Sequence, residues 1–136
     1  MNFFLKEKPA LTFIHLTHPD NEGHEIGHDT PEYYTAVEKV DRQIGGIINT
    51  LKKNNMMDDT VIIFSADHGG VGKGHGGKTL LEVEIPWIIY GNNIINKGKL
   101  ETSIVTYDTA PTIAFLLGLK TPDFWRGKPV KEVVKQ

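Results

Sequence analysis

The sequence predicts an α/β fold, with a mostly parallel sheet and helices on both faces, on three observations. Short, β-branched apolar runs alternate along the chain with longer stretches of helical periodicity. The apolar runs are continuous rather than alternating, which suits strands buried on both faces. Polar, glycine-bearing loops follow two of these runs, and in such sheets ligands bind at the C-terminal ends of strands.

Asn2–Lys6 reads as the last turn of a helix, ended at the Lys8–Pro9 step. The residue before a proline is pushed out of the helical region. Ala10–Thr17 (ALTFIHLT) reads as a first buried strand with His15 packed inside it, and His18–Asp29 as the polar loop at its end. Thr30-Pro31 opens a helix, with Thr30 as cap and Pro31 at the first helical position. Val37, Val40, Ile44, Ile47, Ile48 and Leu51 recur at helical spacing and define one buried stripe. Gly45 and Gly46 each cost about 1 kcal/mol against alanine there, so the close approach of a neighbour is expected. Lys52 and Lys53 suit the negative end of the helix dipole.

Thr60–Ser65 (TVIIFS) is the second strand, and Ala66–Lys78 a glycine-rich loop longer than a simple connector. Pro86–Tyr90 (PWIIY) is the third strand. Thr106–Leu117 reads as a helix with Asp108 and Thr109 near its start and Gly118 as its stop. Phe124–Gln136 reads as an irregular edge segment. With no repeat or low-complexity linker, 1–136 is taken as a single domain.

Composition narrows the function classes. The net charge of −2 carries no basic excess for nucleic acid. No apolar run approaches the roughly 20 residues that span a bilayer, and MNFFLKEKP lacks a signal-peptide layout. The chain has no cysteine, so disulfide and thiolate chemistry are excluded.

The informative residues lie in the two polar loops. The first holds Asp20 and His24 in a D-x-x-x-H spacing; the second holds Asp67 and His68, then His75. Carboxylate oxygen with neutral imidazole is a ligand set for Zn²⁺, Mn²⁺ or Fe²⁺. Asp and His are also common in loops, so Asp20 could cap a turn after Pro19 and His24 could be solvated. His18 and His28 read as outer-sphere or solvated groups.

A formal rival is Gly72–Thr79 (GKGHGGKT), which fits the phosphate-cradling pattern of nucleotide hydrolases letter for letter. Ala66–Val71 separates it from its strand, and Pro86 follows too soon for a full helix. A noncatalytic binding domain is the remaining alternative.

The succession PDNEGHEIGHD, VDRQIG, VIIFSADHGG, GHGGKTLLEVEIPWIIYG and YDTAPTIAFLLGL resembles the C-terminal part of the alkaline phosphatase superfamily. It is closest to the type I phosphodiesterase/nucleotide pyrophosphatase and sulfatase-like branches, and covers about Ala10 to Gly127. The resemblance implies that Asp20, His24 and His75 hold one divalent cation and Asp67 and His68 part of a second. Zn²⁺ is the first expectation, with Mn²⁺ or Ca²⁺ as alternatives. It implies Lys78 as an anion contact and a small phosphate ester as substrate, with a sulfate ester as the alternative. The family's nucleophile and remaining ligands have no match here. The chain is therefore expected to be a C-terminal fragment that needs a missing N-terminal half, does not turn over alone, and self-associates through uncovered surface. Its parent is expected to be periplasmic or exported.

Overall fold

The computed structural model describes residues 2–95 and 98–135, so the last residue of the expected edge segment, Gln136, lies outside the described residues. The chain divides into two compact units, Met1–Asp58 with Ser65–Pro86, and Asp59–Phe64 with Trp87–Gln136.

In the first unit, helix α1 (Asn2–Glu7) runs one residue further than expected and stops before Pro9, where Lys8 turns left-handed at φ 44°. The expected strand Ala10–Thr17 does not form: 11–17 have no regular structure, and all but Leu16 of that stretch are exposed. A strand exists only where a neighbouring ladder pairs its backbone, and no described segment pairs with this one. His15 is accordingly exposed rather than packed.

The segment expected to be a loop after it contains helix α2 (Asp20–Glu25). Asp20 and Glu22 in its first turn and His24 near its end match the helix dipole. Helix α3 (Pro31–Lys53) follows the expected start: Thr30 is extended and its hydroxyl accepts the Tyr33 N–H at 3.2 Å. Ala36, Val40 and Leu51 are buried and Ile44, Ile47 and Ile48 half-buried, so the stripe is present; Val37 is 41% exposed and lies at its margin. Helix α2 packs against α3. The expectation for Gly45 and Gly46 is corrected: a Cβ at either would meet nothing within 4 Å. Helix α4 (Leu80–Val83) completes this unit.

Strand β1 (Val61–Ser65), all but its last residue in the second unit, and β2 (Trp87–Gly91) form a two-stranded sheet. Gly91 is needed where it stands, because a Cβ would lie 2.9 Å from the Thr60 carbonyl oxygen. The expected helix begins as a 3-10 turn over Thr106–Asp108 and continues as α5 (Thr109–Leu116). Gly118, at φ 67°, ends it in a Schellman arrangement: Leu119 N–H donates to Ala114 O at 2.8 Å and Gly118 N–H to Phe115 O at 3.1 Å.

The tail is more regular than expected. It makes a 3-10 turn over Lys131–Val133 and an antiparallel bridge between Ile94 and Val134. Ile94, Val130 and Val133 form the buried cluster, packed by Trp87, Ile89, Leu100, Ile104 and Leu116. The Asp108 carboxylate accepts from the Val105 and Lys128 N–H groups, and the buried Thr112 hydroxyl accepts from Val130 N–H. Those bonds fasten the tail to α5.

Candidate metal centre

The i, i+4 spacing of Asp20 and His24 puts both side chains on one face of α2. Asp20 Oδ1 lies 3.5 Å from His24 Nε2. The glycine-rich loop brings His75 to the same point, with its Nε2 3.2 Å from His24 Nε2 and the rings edge-on at 5.0 Å. One ligand atom from each of Asp20, His24 and His75 lies within 4.8 Å of the others, a grouping that could hold a metal ion. All three residues are exposed, so the point is open to solvent.

The loop is bound to α2 by backbone groups. His24 Nδ1–H donates to the Lys73 carbonyl at 3.2 Å, and Lys73 Nζ donates to the Glu25 carbonyl at 2.9 Å. With Nδ1 protonated, the Nε2 lone pair of His24 is directed at His75. Two neutral imidazole nitrogens so placed repel unless a proton or cation stands between them.

Asp67 and His68 adjoin this point. The His68 ring stacks on His75 with centroids 3.7 Å apart and a 17° tilt. His68 Nδ1–H donates to the Gly69 carbonyl at 2.8 Å, leaving Nε2 3.7 Å from Asp67 Oδ2. Asp67 is well exposed and His68 only partly so. The structure thus places the five residues as a trio and a pair joined by the His68–His75 stack.

The other candidates have different surroundings. His18 Nδ1 bonds Glu22 Oε2 at 2.7 Å, and this bond holds the Glu22 carboxyl below its ordinary range. Lys78 is exposed, just before α4. Donors in the phosphate-cradle pattern are already taken: Gly77 N–H, Thr79 N–H and the Thr79 hydroxyl all bond the Glu82 carboxylate. Those bonds, the hydroxyl's first, lower the Glu82 pKa. The helix after Thr79 has four residues. Three donors of the nucleotide-hydrolase pattern are therefore occupied within the loop, and the helix that follows is too short for it.

Lys73 has no signal in the sequence, and the place of His28, expected as an outer-sphere or solvated group, is decided by the fold. Lys73 anchors the loop through its backbone oxygen and ammonium, and no motif signals such a role. His28 lies half-buried against Gly23 and Gly70.

Comparison with known proteins gives the family of the chain. A family model for type I phosphodiesterase / nucleotide pyrophosphatase matches residues 2–73. The chain is 32% identical over 69 residues to ectonucleotide pyrophosphatase/phosphodiesterase family member 7 of Mus musculus, covering 51% of this chain and 16% of that protein. It is 30% identical over 110 residues to the N-acetylglucosamine-6-O-sulfatase of Bacteroides thetaiotaomicron, covering 76% of this chain and 20% of that one. A crystal structure of a candidate sulfatase, yidJ of Bacteroides fragilis, superposes with a TM-score of 0.72 at 22% identity. That superposition covers 98% of this chain and 30% of the other. The likeness shows an alkaline-phosphatase-like α/β fold over a part of such a protein. The chain spans about a sixth of the phosphodiesterase relative's length. On the match over residues 2–73, the chain belongs to the type I phosphodiesterase/nucleotide pyrophosphatase family, within the alkaline phosphatase superfamily.

Proposed function

We propose that this chain is the C-terminal, metal-binding portion of a two-cation hydrolase of phosphate esters. The observation that carries the reading is the convergence of Asp20, His24 and His75. Nitrogens each about 2.0–2.1 Å from a tetrahedral zinc stand roughly 3.3 Å apart, and the two Nε2 atoms are 3.2 Å apart. Oxygen with two imidazoles suits zinc before manganese or calcium.

Asp20, His24 and His75 would hold one cation, and Asp67 with His68 would contribute to a second. Bound cations supply charge stabilisation and a polarised nucleophile for ester cleavage. The chain's own groups do the positioning. Lys73 fixes the His24 tautomer, His68 Nδ1 is held by Gly69 O so that Nε2 stays free, and the stack sets His68 beside His75. Lys78, exposed near the loop, would meet the substrate anion.

The nucleophile and the rest of the second ligand set would come from the remainder of a longer protein. The isolated chain would bind metal weakly and not turn over. Exposed Leu11, Phe13 and Ile14, the last two 86% and 53% exposed, support further protein covering this segment. A sulfate-ester hydrolase is the second reading, favoured by the sulfatase relative and the yidJ structure.

The test is expression of the longer protein and assay of nitrophenyl phosphodiester, phosphomonoester and sulfate ester with zinc, manganese or calcium. Phosphodiester turnover that Asp20→Asn abolishes is expected. Sulfate turnover alone would establish the second reading. Turnover untouched by chelation would end both.

A further inference from the structure

We propose that His28 is a positioning residue that sets the distance between the two segments carrying the metal ligands. This rests on the metal-site reading above. The His28 N–H and Nδ1–H both donate to one acceptor, the Gly72 carbonyl, at 2.7 and 3.0 Å. The same ring is wedged between the two segments. A Cβ on Gly23 would stand 2.6 Å from His28 Nε2, and a Cβ on Gly70 only 2.1 Å away. Gly23 directly precedes His24. Gly70 and Gly72 flank Val71, whose short antiparallel bridge to Gly74 leads into His75.

One imidazole therefore does two things. Its donors pull the loop in, and its ring stops the loop from closing further. Tyr33 backs the ring from α3 at a centroid distance of 5.1 Å, so the wedge is seated on the long helix. The separation between His24 and His75 follows from where this ring sits. A Cβ at either glycine would displace the ring, because the ring already occupies the space.

The chain lacks cysteine, so a nitroxide can be placed at one introduced site, Asn21→Cys, on the exposed side of α2. Broadening of the amide NMR signals of residues 71–76 then reports how close the loop lies. Zinc affinity is measured separately on the unlabelled full chain by competition with a chromophoric chelator. His28→Ala is expected to lower zinc affinity by about 10–100-fold, the range for outer-sphere partners, and to weaken the broadening. His28→Asn, which restores an N–H donor, is expected to recover part of both.

Unchanged broadening and affinity in a folded His28→Ala chain would overturn the proposal. Should that variant not fold, His28→Asn carries the test, and affinity and broadening both at the unaltered level in Gly70→Ala, which displaces the ring, would overturn it as well. Failure of the unaltered chain to bind zinc sinks the metal reading alone; the broadening then decides the role of His28.

Discussion

His24 and His75 meet through their Nε2 atoms at 3.2 Å, although 51 positions separate them in the chain. His24 has its other ring nitrogen tied to the Lys73 carbonyl, so the meeting is directional. Replacing either residue removes a ligand atom and little packing, since both are exposed. His24→Ala and Asp20→Asn are each expected to weaken zinc binding by more than the roughly 100-fold upper range for an outer-sphere partner. Stability without metal should move by no more than about 1.5 kcal/mol in His24→Ala, which loses the bond to Lys73, and by about 0.5 kcal/mol or less in Asp20→Asn. Titration with zinc beside a urea melt of the apo chain checks both halves.

Substitution separates the glycines that face open space from those that face a side chain. Gly45→Ala and Gly46→Ala place a methyl in open space inside α3 and should each stabilise by up to about 1 kcal/mol. Gly70→Ala drives a methyl into His28 and should destabilise by about 1–3 kcal/mol. Urea unfolding followed by helix circular dichroism gives the sign of each.

Thr112 is fully buried, its hydroxyl donating to Asp108 O at 2.7 Å and accepting from Val130 N–H at 3.0 Å. Thr112→Val keeps the shape and strands the Val130 N–H. A loss of about 1–3 kcal/mol is expected. Faster hydrogen exchange at Val130 and Lys131 should accompany it; unaltered exchange there would argue against the tail being fastened through this hydroxyl.

The Glu82 carboxylate holds Gly77 and Thr79, and that bonding lowers its pKa in the folded chain. A depressed carboxyl contributes its ordering above the unfolded value and loses it as pH falls through the folded value. The loop around Gly77 should therefore loosen below roughly pH 4.3, the ordinary glutamate value. Glu82→Gln should show the loosened loop already at neutral pH. Amide exchange of Gly77 and Thr79 across pH 3 to 7 is the measurement.

What was legible in the sequence is local. Thr30-Pro31 capped α3 as written, because a side-chain acceptor and a preset φ act within one turn. Gly118 ended α5 for an equally local reason, its tolerance of positive φ. TVIIFS and PWIIY became strands because each had the other to pair with. ALTFIHLT is likewise apolar and β-branched, but no described segment offers it a ladder, so it did not. The D-x-x-x-H spacing carried more than was read from it. It is a helical period as well as a ligand pattern, and α2 forms there.

By itself, then, the sequence determined the chemistry available: five carboxylate and imidazole groups, no thiol, and the family's order of motifs. Only the tertiary structure decided which of them meet. Asp20, His24 and His75 converge because Lys73 ties the loop to α2 and His28 stands as a spacer between them. Contacts of that kind join residues more than 40 positions apart through backbone carbonyls and bare glycine surfaces. Neither leaves a periodicity or a spacing that a linear reading could detect.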